Sequence, residues 1–132
     1  MRLVLQRGNA DCGLCALATV AELSYEDVYL AAATVDTAYR GKSGATLRVM
    51  ARVASILGLK PTLNNEPSLE DDRGLLMVRW KNGSPHYARP FKLHVVALAH
   101  GMIADPADGV ILPADEYLTR TKASAVALLE LI

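Results

Sequence analysis

The sequence predicts an α+β domain in which helices come first and an antiparallel sheet follows. Two patterns indicate this class: residues 1–57 carry helical start signals and helical periodicity, and the residues after them carry short apolar segments separated by turn residues. Composition adds a third observation, because 52% of the 132 residues are hydrophobic, which is enough for one core. We therefore expect residues 1–132 to form a single domain.

Three helices are predicted in the first half. The first should run from Cys12 to Ala21, because Asp11 suits the N-cap position and the residues that follow are small or apolar on every side. Ser24 and Asp27 have the spacing of a capping box and predict the start of a second helix. Apolar residues at three- and four-residue spacing predict a third helix over Ala45–Leu57.

Short strands are predicted in the second half. They are Leu75–Trp80, Leu93–Ala99, Met102–Asp105 and Val110–Leu112. His100-Gly101 fits a two-residue turn between the second and third strands, since Gly takes positive φ readily and His tolerates it. A short helix is expected at Pro113–Thr119 and a final strand or helix at Ala123–Leu131.

The charge balance excludes two classes of protein. Lys and Arg total 14, Asp and Glu total 14, and the net charge is zero. A protein that mainly neutralises nucleic-acid phosphates or docks on an anionic membrane would be basic, so we expect no nucleic-acid partner. No apolar run reaches the roughly 18 to 20 residues that span a bilayer, so we expect no membrane segment and a cytoplasmic location.

Cys12 is the first candidate for chemistry, because it lies in the first turn of the first predicted helix. A helix N-terminus presents unpaired N–H groups and about half a positive charge, which favours thiolate over thiol. Such a cysteine is suited to act as a nucleophile. Nucleophilic catalysis also needs a base, a group that orients the base, and donors for an oxyanion.

His94 and Asp105 are predicted to share one face of a hairpin. With a two-residue loop at His100-Gly101, His94 lies opposite Ala107, and Asp105 is two residues from that partner. The diagonal separation of roughly 7 to 8 Å can be spanned by an imidazole and a carboxylate. A three-residue loop would shift the register by one residue and place the two side chains on opposite faces of the hairpin. Asp108 is the second candidate partner, but Asp-Gly at this position is typical of a turn.

Four strings of residues carry a family resemblance across nearly the whole chain: Gln6-Arg-Gly-Asn-Ala-Asp-Cys-Gly13, Leu17-Ala18, His94-Val-Val96 and Asp105-Pro-Ala107. Together they resemble the papain-like cysteine peptidases that process the double-glycine leaders of bacteriocins. The resemblance implies a papain-like fold in which a central helix bearing the cysteine packs on a C-terminal antiparallel sheet.

The same resemblance implies a role for each of four residues. Cys12 would be the nucleophile, His94 the general base and acid, Asp105 the group that orients His94, and Gln6 a donor of the oxyanion hole. The substrate would be a peptide or protein, and no cofactor or metal ion would be required. A transporter or another partner encoded separately fits the same resemblance.

Three alternatives remain open from the residues alone. One is a peptide-binding domain of the same fold that does not cleave, for example in leader recognition. Another is a thiol redox protein in which Cys12 attacks and Cys15 resolves, although Cys15 is better interpreted as a core residue. The third is zinc binding by Cys12, Cys15, His94 and His100, a pattern that lacks a second close pair of ligands.

Overall fold

The structure, a computed structural model, describes residues 1–7, 11–35, 46–81 and 93–131. Its helices are α1 (Cys12–Ala21), α2 (Tyr25–Val35), α3 (Leu47–Ile56) and α4 (Ala114–Thr121). Its strands are β1 (Pro61–Asn64), β2 (Gly74–Trp80), β3 (Leu93–Ala99), β4 (Met102–Ala104), β5 (Ile111–Pro113) and β6 (Ala123–Leu131). The helices α1, α2 and α3 therefore precede the strands, as predicted, and α4 lies between β5 and β6. No helix among these described ranges is long and apolar enough to cross a membrane.

The first helix has the predicted bounds and the predicted N-cap residue, but it lacks the side-chain capping hydrogen bond expected of that residue. Asp11 occupies the N-cap position, and its side chain makes no capping hydrogen bond. Its φ of −105° and ψ of 20° depart from the extended conformation that lets a cap side chain reach the first turn. The buried carboxylate instead accepts from the Arg7 backbone N–H at 2.9 Å and the Tyr25 hydroxyl at 3.1 Å.

The next two helices begin at side-chain caps. The Ser24 hydroxyl accepts from the Asp27 N–H at 3.1 Å, which confirms the predicted start of α2. Thr46 caps α3 by accepting from the Val49 N–H at 3.2 Å. The predicted start of α3 at Ala45 lies outside the described residues.

In the described ranges, six strands form one sheet in the order β1-β6-β2-β3-β4-β5, and all neighbouring pairs are antiparallel. The C-terminal segment, predicted as a strand or a helix, is the strand β6 between β1 and β2. Strand β1 was not expected from the sequence. It has four residues and two exposed positions in its centre, so it carries little strand signal of its own.

Each face of the sheet packs against helices. Residues Leu75, Val95, Ala97 and Leu129 face the core formed with α1, α2 and α3. The alternate residues of the strands face a second cluster that includes Ala114 and Tyr117 of α4; they are Leu76, Val78, Val96, Leu98, Ile103 and Leu128. Among the described residues, the sheet therefore separates the layer formed by α1, α2 and α3 from α4.

The turn between β3 and β4 has the predicted two-residue form. His100 has a φ of 54°, Gly101 a φ of 72°, and Ala99 pairs with Met102. Strand β4 ends at Ala104, one residue earlier than predicted. Asp105 begins a tight turn, where its N–H donates to the Val110 carbonyl and its carbonyl accepts from the Gly109 N–H.

Gly74 allows β2 and β6 to approach closely, because a Cβ atom at this position would lie 2.0 Å from the Leu129 carbonyl oxygen. We expect Gly74→Ala to lower the free energy of unfolding by about 3 kcal/mol, since the backbone of an interior strand cannot move aside freely. Gly58→Ala is the matched control: its Cβ would meet no atom within 4 Å, and its φ of 83° gives a cost of about 1 kcal/mol. Urea unfolding measures the free energy of unfolding of both variants. An equal decrease in the two variants would contradict the prediction.

Candidate active site

His94 and Asp105 form a buried hydrogen-bonded pair, as the hairpin register predicted. His94 is the second residue of β3, and Asp105 directly follows β4. The His94 Nε2 atom lies 2.7 Å from Asp105 Oδ1, and the two side chains are 1% and 0% exposed. Asp108, the second candidate, accepts from the Val110 N–H at 2.9 Å within the turn.

The Asp105 carboxylate has donors beyond His94. The Ala107 N–H donates to Oδ1 at 2.9 Å, and the Tyr117 hydroxyl donates to Oδ2 at 2.7 Å. Burial alone would raise the pKa of Asp105. The hydrogen bonds from His94, Tyr117 and Ala107, together with the charge on His94, hold the pKa of Asp105 below its usual value. The group is therefore an ionised carboxylate at neutral pH.

The pKa of His94 depends on both Asp105 and Cys12. Burial lowers the pKa of His94, but its hydrogen-bonding and electrostatic interactions with Asp105 and Cys12 outweigh burial and raise this pKa to about 9. At neutral pH the ring therefore carries a positive charge. Because Nε2 is bonded to Asp105, Nδ1 is the ring nitrogen left for Cys12.

Trp80 covers the His94 ring. It is the last residue of β2, it is buried, and its ring stacks on His94 with centroids 4.7 Å apart and planes 23° from parallel. The stacking restricts the rotation of the imidazole and keeps water from one of its faces. The sequence shows no signal for this contact, since an aromatic residue at a strand end usually serves packing.

The two cysteines differ in environment, and both are free thiols. Cys12 is the half-buried first residue of α1. Cys15 is fully buried, as predicted for a core residue, and its thiol donates to the Leu5 carbonyl at 3.4 Å. Burial, with a smaller contribution from the charge of Asp11, raises the pKa of Cys15 far above its usual value. A thiol in that state is a poor resolving cysteine, which disfavours the redox alternative.

Gln6 lies in the segment that precedes α1, and its backbone N–H donates to the Pro106 carbonyl at 2.8 Å. The next residue, Arg7, donates its N–H to Asp11. The segment is thus attached both to the residue after Asp105 and to the residue before Cys12. Residues 8–10 of the motif lie outside the described part of the chain.

The zinc alternative is not supported by the arrangement of its four proposed ligands. His100 is six residues from His94 along β3, about 20 Å away at the rise of a strand. In the part of the chain that the structure describes, no three His, Cys, Asp or Glu side chains are grouped to hold a metal ion.

The environments of the two thiols predict selective alkylation. We expect limiting iodoacetamide at neutral pH to modify Cys12 and to leave Cys15 unmodified in the folded protein, because only Cys12 combines exposure with a neighbouring positive charge. Peptide mapping by mass spectrometry measures the ratio of label on Cys12 to label on Cys15. The urea-unfolded protein is the control, in which both thiols should react at similar rates. Comparable labelling in the folded protein would contradict the prediction.

Comparison with known proteins places this site in a family. A model of the Peptidase C39 family matches residues 1–121. The crystal structure of the peptidase domain of Streptococcus ComA, described as a bi-functional ABC transporter involved in a quorum-sensing pathway, has the same fold, with a TM-score of 0.59 at 18% identity. That likeness covers 98% of this chain and 96% of the ComA domain. No curated protein sequence matches. Since the family model spans nearly the whole sequence, this chain belongs to the Peptidase C39 family of cysteine peptidases.

Proposed function

We propose that Cys12, His94 and Asp105 act as a catalytic triad, with Gln6 in the oxyanion hole, to cleave a leader peptide after a Gly-Gly site. Membership of the C39 family makes the chain a cysteine peptidase and makes a peptide its substrate. The observation that carries the assignment of residues is His94, whose Nε2 lies 2.7 Å from Asp105 Oδ1 and whose pKa is raised by Cys12 as well as by Asp105.

The proposed reactive form of the site is a thiolate and imidazolium pair. The positive charge of His94 and the N-terminus of α1 both stabilise a negative charge on the Cys12 sulfur. The thiolate attacks the carbonyl carbon of the scissile amide and forms a C–S bond, and the carbonyl oxygen becomes an oxyanion. The Gln6 amide and the Cys12 backbone N–H are the proposed donors to that oxyanion.

Breakdown of the tetrahedral intermediate needs a proton donor. His94 gives its Nδ1 proton to the leaving amine as the C–N bond breaks, which leaves a thioester on Cys12. Neutral His94 then takes a proton from water, and the resulting hydroxide attacks the thioester. Collapse of this second intermediate releases the carboxylic acid and restores the thiolate and imidazolium pair. Asp105 stays ionised and holds His94 in orientation throughout.

The Gly-Gly site is proposed from the leader-peptidase resemblance of the sequence. Two glycines have no side chains, so the substrate backbone can approach the proposed Cys12 and Gln6 donors closely. The ComA peptidase domain belongs to an ABC transporter. By analogy, we propose that this domain acts in the cytoplasm and works with an ABC transporter.

Cleavage of a synthetic leader tests the proposal. We expect a peptide with Gly-Gly to be cut after the second glycine, and a matched peptide with two valines to remain intact. Cys12→Ala should lower kcat/KM by at least about 1,000-fold and Gln6→Ala by about 100-fold. Mass spectrometry of the products, normalised to folded protein, measures these changes.

Cys15→Ala is the matched control, because it removes the other thiol from the same helix. This variant should lose stability and keep its activity per folded molecule, whereas a redox function would require both cysteines. If the wild-type protein binds the peptide and leaves it uncut, the non-catalytic binding alternative replaces the proposal.

The charge state of His94 predicts a pH profile. Its pKa is raised to about 9, so kcat/KM should fall as pH rises through about 9, where the imidazolium loses its proton. The negative charge of Asp105 contributes to this raised pKa. Asp105→Asn should therefore move the alkaline limb toward neutral pH, as well as lowering the maximum. Initial rates between pH 5 and 10.5 measure the limb, and an unmoved limb in Asp105→Asn would contradict the prediction.

A further inference from the structure

Tyr117 is a buried tyrosine whose hydroxyl reaches the candidate site from the far side of the sheet. It lies in α4, it is 1% exposed, and its hydroxyl donates to Asp105 Oδ2 at 2.7 Å. Its ring belongs to the apolar cluster between α4 and the sheet, on the face opposite to α1. Packing in that cluster requires only the ring, so the hydroxyl needs a separate explanation.

The two oxygens of Asp105 have different partners. Oδ1 accepts from His94 and from the Ala107 N–H, whereas Oδ2 accepts from Tyr117. Donors on both oxygens oppose rotation of the carboxylate about its Cβ–Cγ bond. We propose that Tyr117 is a positioning residue of this peptidase, whose hydroxyl fixes the Asp105 carboxylate so that Oδ1 meets His94 Nε2. This inference rests on the triad proposed above.

Helix α4 is itself fixed to the hairpin that carries the pair. The Ala114 N–H donates to the Gly101 carbonyl at 2.9 Å, which attaches the start of α4 to the turn between β3 and β4. A second bond, from the Thr121 hydroxyl to the Tyr117 carbonyl at 2.8 Å, lies within α4 and does not attach the helix to the hairpin. The distance between Tyr117 and Asp105 is therefore set by the same hairpin that sets the register of His94.

Loss of the hydroxyl has two expected consequences for His94. The carboxylate gains freedom to rotate, so its hydrogen bond to Nε2 is less well aligned. The buried negative charge also loses one donor, so Asp105 takes up a proton more readily and stabilises the imidazolium less. Both effects act on the reaction through His94, and neither changes the surface that binds a peptide.

Tyr117→Phe tests the inference, because it removes the hydroxyl and keeps the ring in its cluster. We expect kcat to fall by about 10- to 100-fold with KM nearly unchanged, the loss typical of a hydrogen bond to a charged group. We also expect the pKa of His94, followed by NMR of its ring protons, to fall by about one unit. Active-site titration with iodoacetamide measures the concentration of competent molecules. Because kcat is expressed per competent molecule, partial unfolding of the variant does not lower it.

Thr121→Val is the matched control, since it removes a hydroxyl from the same helix without touching Asp105. It should change the unfolding temperature and leave kcat and the His94 pKa as in the wild type. If Tyr117→Phe and Thr121→Val show the same small changes in kcat and in the His94 pKa, the hydroxyl serves only stability and the inference is overturned.

A double-mutant cycle separates action through Asp105 from a general effect. In an Asp105→Ala background, Tyr117→Phe should cost less than twofold in residual kcat, because the acceptor of its hydroxyl is gone. An equal loss in both backgrounds would overturn the inference. If wild-type protein cuts no peptide, the proposed function fails, and the His94 pKa in Tyr117→Phe still decides whether the hydroxyl acts on the pair.

Discussion

The Asp105 carboxylate is fully buried and ionised, and this places a demand on the rest of the fold. An unpaired charge removed from water costs many kcal/mol, so the structure must supply donors before the site can exist. It supplies them from three places in the chain: His94 on β3, the backbone of Ala107 in the turn, and Tyr117 on α4. The orientation of His94 is therefore a product of the packing of both the hairpin and α4.

His94 connects the two layers of the fold. By the alternation of β3 it shares the face of Val96 and Leu98, which pack toward α4, yet its pKa is also raised by Cys12 at the start of α1. At His94, β3 is still paired with Val78 of β2 but lies beyond the last residue that pairs with β4, which is Ala97. The site therefore depends on the packing of both faces of the sheet. This packing holds its side chains in position before a ligand binds.

Local signals predicted much of this arrangement. The bounds of α1 followed from its apolar run, and the pairing of His94 with Asp105 followed from a turn whose two residues take positive φ. Features that depend on distant partners were missed. Strand β1 is defined by its pairing with β6, almost seventy residues later, and the sequence gives no hint that Tyr117 on α4 reaches Asp105.

The two cysteines show why residue type and spacing alone do not decide reactivity. Cys12 and Cys15 are three residues apart, so they lie on similar sides of α1 and differ in depth by about 4.5 Å along its axis. The Cys12 thiol lies at the end of the helix and affects the pKa of His94, whereas the Cys15 thiol is buried and donates to the Leu5 carbonyl. Cys12 has the positive charge of His94 nearby, whereas Cys15 is surrounded by apolar side chains and is affected by the negative charge of Asp11. Depth along a single helix thus separates the proposed nucleophile from a core residue. The segment from Leu5 to Arg7 accepts the Cys15 thiol bond at Leu5 and is attached through the Gln6 N–H to Pro106, the residue after Asp105.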